Sequence, residues 1–297
     1  MQLDANRVGR TVTKGKIMKR IVLAVATVLL AAGVATGASA AAAAPLPNGV
    51  HVKGLTYQPG VHLAAPHLPR FTPANIGTLK STNWSGYVDV ACKTCAVRYV
   101  GASFNLPSVN CSALPDGSTV SFWAGLDGFS DTATEQIGAA AQCKSGAASY
   151  FLWYEMFPLI AVVFTGVNPG DAISMSVYYN AGTGKWQLVL NDLANGKNLT
   201  SVQSCPSGSK CLNSSAEVIT EAASTSSGAA VPLPNFAQVG YEGIAVTSRS
   251  GLHGSMTPTG LWNTDAIDLV GNAGNSLAVV GPAYGGQAFL GTWKAAQ

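Results

Sequence analysis

Histidine, charge and the usual hydrolase signatures are all scarce in this chain. Charged residues make up 10% of its 297, and three of the four histidines, His51, His62 and His67, fall in the first quarter, leaving His253 alone in the rest. No Gly-x-Ser-x-Gly elbow, no His-Glu-x-x-His pair and no Asp-Thr-Gly or Asp-Ser-Gly run occurs. These absences remove the elbow-type serine hydrolases, the zinc peptidases and the pepsin-type aspartic peptidases. A serine triad built on His253 has no marked nucleophile, and a lone histidine more often makes a structural hydrogen bond. Nor does any window hold a sustained apolar period of 3.6, which argues against a helical architecture.

The N-terminus sets the compartment. Arg7, Arg10, Lys14, Lys16, Lys19 and Arg20 form a basic start, Ile21 to Val34 an apolar core, and Ala38-Ser39-Ala40 a small-residue cleavage site. Residues 1–40 therefore read as an export signal, translated from Met1 or Met18, and the protein is expected to be secreted with no membrane span once the signal is removed. Residues 41–80 carry six prolines, Lys53, Arg70 and Lys80, and no acid. Such text packs poorly and reads as a propeptide or linker. Residues 1–80 hold nine Lys or Arg against one Asp (net +8), and residues 81–297 hold eight against thirteen Asp or Glu (net −5). The mature region is acidic, so nucleic acid is not an expected partner.

Residues 81–297 suit one β-rich domain. Ile173, Met175, Val177 and Tyr179 alternate with Ser174, Ser176 and Tyr178; Trp186, Leu188 and Leu190 alternate with Gln187 and Val189; Tyr150 to Phe157 is almost wholly apolar or aromatic. Turn chemistry separates these runs, as at Asn195-Gly196. The pattern predicts an all-β antiparallel sandwich. Few charges also suit life in acid, where paired carboxylates are lost to protonation. Six cysteines, all after residue 90, fit an oxidised exported domain. Spacing favours Cys92 with Cys95 and Cys205 with Cys211, which leaves Cys111 with Cys143; the Cys-x-x-Cys read as a redox or zinc half-site has no second half-site and no clustered histidine beside it.

A carboxylate and a carboxamide remain as chemistry. A Glu can take a proton from water and an amide can stabilise an oxyanion, so the two suffice for hydrolysis without metal, thiol or serine. The runs N-W-S-G-Y (Asn83 to Tyr87), F-W-A-G-L-D-G (Phe122 to Gly128), E-Q-I-G (Glu135 to Gly138), W-Y-E-M-F-P (Trp153 to Pro158), G-D-A-I-S-M-S-V (Gly170 to Val177) and A-E-V-I-T-E (Ala216 to Glu221) come in the order and approximate spacing of the glutamic peptidases, the eqolisin family. The resemblance spans about Ser81 to Gln238. It implies a concanavalin-like sandwich of two bent antiparallel sheets and acid endopeptidase activity on protein or peptide substrates, with no cofactor. It also implies a catalytic pair that falls on Gln136 and Glu221, and it puts Trp123 in the same groove.

The residue pattern adds physical reasons. On a strand, Glu217, Ile219 and Glu221 share one face, as do Phe151, Trp153, Glu155 and Phe157, and Trp123, Gly125 and Asp127. Carboxylates among aromatics make a poor core and a serviceable groove wall, so Trp123, Asp127, Trp153, Glu155 and Glu217 are the candidate substrate-binding residues. The bland readings are core aromatics for the two tryptophans, a turn former for Asp127 and a solvated side chain for Glu217. The expected mechanism has ionised Glu221 deprotonate a water held between it and Gln136, with the Gln136 N–H receiving the oxyanion. A concanavalin-like glycoside hydrolase pairing Glu155 with Glu221 is the rival enzyme, and a silent sugar- or peptide-binding module the rival of another class. The cationic leader is expected to bind the acidic domain as its own propeptide, holding a monomeric zymogen until acid releases it.

Overall fold

The computed structural model describes residues 45–58, 71–73, 78–224, 231–259 and 261–296. The expected export signal lies outside the described residues, as do His62 and His67. Residues 43–297 form one compact unit.

Nineteen strands and no helix are assigned among the described residues. Four precede or overlap the expected domain start: β1 (Val50–Lys53), β2 (Thr56–Gln58), β3 (Phe71–Pro73) and β4 (Thr78–Ser81). Ten make up the body: β5 (Trp84–Ala91), β6 (Val97–Asn105), β7 (Thr119–Leu126), β8 (Thr134–Lys144), β9 (Ala147–Phe157), β10 (Val162–Thr165), β11 (Ala172–Asn180), β12 (Lys185–Asp192), β13 (Lys197–Ser204) and β14 (Ser215–Ala222). Five follow: β15 (Gln238–Ser248), β16 (His253–Gly254), β17 (Trp262–Val270), β18 (Ser276–Val280) and β19 (Phe289–Trp293).

Hydrogen bonding runs continuously through two layers. The first is β2-β10-β9-β8-β7-β14-β5-β17. From β17 the ladder continues through β18 and β19 into the second layer, β15-β6-β11-β12-β13-β1. The layers pack face to face, β11 on β7 and β8 and β12 on β8, as a β-sandwich. Pairing is antiparallel except where β4 lies parallel to β17. A two-residue hairpin joins β8 to β9 through Ser145 and Gly146, both with positive φ (51° and 76°), as a turn of the primed type requires.

Alternation divides the first layer into two faces. Phe122, Ala124 and Leu126 of β7, Ile137 and Ala139 of β8, Leu152 and Tyr154 of β9 and Val218 of β14 enter the core between the layers. Trp123, Ala140, Phe151, Trp153 and Ile219 turn the other way and form a second cluster on the outer face with Trp84 and Val88. Because these strands are covered on both sides, their sequences read as continuous apolar runs. The disulfides are Cys92–Cys95, Cys111–Cys143 and Cys205–Cys211.

The sheets continue across residue 80, where the leader is expected to end. β1 pairs with β13 and β2 with β10, so the segment 50–58 closes the free edge of both layers, and β4 adds to β17 on the opposite side.

Candidate active site

The outer face of the first layer is built in rows by the register of β5, β14, β7, β8 and β9. One row reads Val88, Glu217, Gly125, Gln136, Glu155; the next reads Gly86, Ile219, Trp123, Gly138, Trp153; the third reads Trp84, Glu221, Ser121, Ala140, Phe151. Glu221 and Gln136 thus stand on the two strands that flank β7, with Trp123 in the row between them. Gly138 makes this possible: a Cβ there would come within 2.6 Å of the Trp123 Cβ, so only glycine leaves the indole its place.

Glu221 is 3% exposed and Gln136 1%. Trp123 Nε1 donates to Glu221 Oε2 at 2.8 Å, and Asn83 Nδ2 donates to Oε1 at 3.2 Å. Trp84 packs edge-on against Trp123 with ring centroids 5.0 Å apart. Burial pushes the Glu221 carboxyl up to about 8, against the Trp123, Asn83 and Trp84 donors that hold it down. Gln136 Nε2 donates to Glu155 Oε2 at 2.5 Å, which leaves Gln136 Oε1 unbonded. Glu155 is raised well above the carboxylate range by burial and then by the Glu221 charge, with the Gln136 bond opposing. Trp123 with Glu221 and Gln136 with Glu155 thus form two buried hydrogen-bonded pairs on one face, linked by the effect of the Glu221 charge on Glu155 and sharing that face with Glu217 and Ser121.

The other expected residues are placed differently. Trp153 is 3% exposed and belongs to the outer-face cluster. Alternation stops at Leu126, because Asp127 takes φ 66° and leaves the strand. Its carboxylate accepts the backbone N–H of Asn213 at 2.8 Å and of Ser214 at 2.5 Å, tying the end of β7 to the segment before β14. Burial and Asp131 raise Asp127 to about 7. Glu217 is fully buried, and neither carboxylate oxygen has a hydrogen-bond partner. Burial first, then Asp127, Asp131 and Glu135, raise it well above the usual range. Burial thus biases each of these carboxyls toward its neutral form.

Sequence reasoning did not single out Asn83 or Glu135, although they lie in the quoted N-W-S-G-Y and E-Q-I-G runs, and it gave no sign of Asp131. Among the described residues, no group of three or more His, Cys, Asp or Glu is arranged to hold a metal ion.

Comparison with known proteins bears on family and fold. The model of the Peptidase A4 family matches residues 82–280. Scytalidopepsin B of Scytalidium lignicola is 28% identical over 142 residues, which cover 47% of this chain and 51% of that protein. The chain thus spans about half the length of this curated relative. Among solved structures, scytalido-glutamic peptidase with a peptide-based transition state analog superposes with a TM-score of 0.58 at 24% identity, covering 72% of this chain and 98% of that one. Aspergilloglutamic peptidase from Aspergillus niger gives 0.52 at 23%, covering 60% and 99%. At these identities the likeness to the solved structures is one of fold.

Proposed function

This chain belongs to the Peptidase A4 family, and from that premise we propose that it is an acid-acting endopeptidase whose proton carrier is Glu221 and whose oxyanion donor is Gln136. The observation that carries the proposal is the Glu221 carboxyl itself, buried, gripped at both oxygens by N–H donors, and raised to about 8. The sequence alone led us to expect an ionised base. Burial favours the neutral carboxyl, so in this proposal Glu221 starts the cycle protonated in acid and the proton transfers run in the opposite order.

Glu221 gives its proton to the scissile carbonyl oxygen as water adds to the carbon, and its other oxygen takes a proton from that water. The Gln136 N–H that does not bond Glu155 donates to the same carbonyl oxygen and supports the partial negative charge on it until the proton from Glu221 has arrived, an interaction stronger in the transition state than in the ground state. When the C–N bond breaks, Glu221 protonates the leaving amine and recovers a proton from the hydroxyl of the nascent acid. Water has been added across the amide and Glu221 is neutral again. Glu155 anchors the Gln136 amide through Nε2. Trp123 and Trp153 line the same face and supply apolar walls for substrate side chains.

The proposal extends to export after loss of residues 1–40, to action as a monomer, and to a leader that inhibits the enzyme until it is processed. The pairing of β1, β2 and β4 with the body supports a leader that folds with the domain it serves. The test is to incubate the secreted protein in acid with denatured casein and, separately, with xylan or β-glucan. Peptide release is the expected result; sugar release would point to Glu155 with Glu221 as a glycosidase pair, and neither product to a binding module.

A further inference from the structure

We infer that Asn83, set in place by Ser81, is the positioning residue of Glu221: it fixes how that carboxyl faces the site and gives its Oε1 a neutral N–H donor. The inference deepens the proposed function, because it rests on Glu221 as the proton carrier.

Asn83 immediately precedes β5 and is 3% exposed. Its C=O accepts the N–H of Ala222 at 2.9 Å, which fixes its level beside the end of β14. Its Nδ2 donates to Glu221 Oε1 at 3.2 Å. A side-chain amide can turn over, and a turned Asn83 would present its oxygen to the carboxylate.

Ser81 prevents this. Its Oγ accepts the backbone N–H of Asn83 at 3.3 Å and of Trp84 at 3.1 Å, and it donates its one hydroxyl proton to Asn83 Oδ1 at 3.0 Å. With Oδ1 held by a donor, the amide edge facing Glu221 is the N–H edge. Ser81 is fully buried, so water does not compete for these bonds. Trp123 grips the opposite oxygen, and the carboxyl plane is fixed at both ends. Among the described residues, the groups that bear on Glu221 are Asn83 and Trp84 from the β5 side, Trp123 from β7 and the carboxyl of Glu155 from β9; of these only Glu155 ionises. Neutral N–H donors therefore carry the stabilisation of the Glu221 anion, and Asn83 is one of them.

Ser81 is also the last residue of β4, beside Leu269 of β17. Processing that removed it would remove the group that orients Asn83.

The experiment is a 13C NMR titration of the secreted protein with labelled glutamate. The Glu221 signal is assigned by its loss in Glu221→Gln and followed in wild type, Asn83→Ala and Ser81→Ala. Asn83→Ala should raise the Glu221 titration by about one unit or more, the worth of one hydrogen bond to a charged group. Ser81→Ala should raise it less, and the alkaline limb of peptide cleavage should move up with each titration. A role in packing alone would lower the rate at every pH and leave titration and limb in place; that result, or a downward shift, overturns the inference. Should Asn83→Ala not fold, Ser81→Ala, which leaves every atom around Glu221 present, decides the matter in the same way. A Glu221 that responds to Asn83 in a protein that cuts no peptide would sink the proposed function and leave this inference standing; an unresponsive Glu221 in an active peptidase would do the reverse.

Discussion

Replacing Asp89 by Asn should make the protein more tolerant of neutral pH without touching its chemistry. Asp89 lies on β5 with no exposed surface, between Thr264 and Ala216 on the face that enters the sandwich core. Thr264 Oγ1 donates to Oδ1 at 2.5 Å, and Oδ2 has no partner. Burial raises its ionisation from 3.8 to about 8, the Thr264 bond opposing. In the unfolded chain the same group ionises near 3.9. Between those values the folded state holds a proton that the unfolded state has lost, so the slope of stability against pH is negative. The neutral carboxyl contributes fully below pH 4, and its contribution is lost as pH rises toward 8. At about 1.4 kcal/mol per pH unit, wild type should lose on the order of 4 kcal/mol from this one residue between pH 4 and pH 7. That is a large share of a typical domain's 5–15 kcal/mol. Asn keeps the shape and the acceptor for Thr264 and cannot ionise. Urea unfolding followed by tryptophan fluorescence at pH 4 and pH 7 measures the effect. The two proteins should agree within about 1 kcal/mol in acid and separate by about 4 at neutrality, the variant being the more stable. Parallel loss of stability in both would refute the reasoning, since Glu135, Asp127 and Glu217 are common to both and cancel.

Glu155→Gln keeps an acceptor for Gln136 Nε2 and should lower kcat without abolishing it, whereas Glu155→Leu strips that acceptor and should cost roughly 10- to 100-fold, about the worth of one buried hydrogen bond; equal rates in the two variants would deny Glu155 its part in anchoring the amide. The leader should act as a charge-dependent inhibitor, because it is cationic and the surface carboxylates of the domain, unlike the buried Asp89, Glu155, Glu217 and Glu221, can meet it as anions at neutrality. A peptide of residues 41–80 added to processed Glu221→Gln protein should bind at pH 7 and weaken toward pH 3, as domain carboxylates lose charge and the leader histidines gain it. Affinity that grows in acid would exclude an electrostatic latch.

How much was legible in the sequence follows from which faces are covered. Strands such as β11 and β12, half-exposed on one side, show the period of two from Ile173 to Tyr179 and from Trp186 to Leu190. The hairpin at Asn195-Gly196 connects β12 and β13, with Gly196 at φ 62°. Strands β7, β8 and β14 are buried on both faces, and their alternation carries no sign of which side is core. Asp89 in β5 illustrates the loss: no local pattern tells that its side chain enters the core while Val88 turns outward. Asp127 could not be placed by alternation either, because one positive φ takes it out of the strand and aims its carboxylate at Asn213 and Ser214. The prolines of the leader suggested a spacer, yet Val50-His51-Val52-Lys53 already alternates, and it is this run that pairs with β13. Motif resemblance pointed to Gln136 and Glu221, which no local pattern would have singled out. Asn83 lay in a quoted motif unread, because its role depends on Ser81 and on the end of a strand 138 residues away.

The central claim is that Glu221 carries the protons of peptide hydrolysis, and one exchange of atoms tests it. Glu221→Gln keeps size and acceptor oxygen and removes the exchangeable acid, so the fold and the melting temperature at pH 4 should change little. Cleavage of denatured casein by the processed protein at pH 4, read by mass spectrometry of the released peptides, should fall by at least about a hundredfold, equivalent to roughly 3 kcal/mol of barrier. Wild-type rates in a folded Glu221→Gln protein would contradict the account.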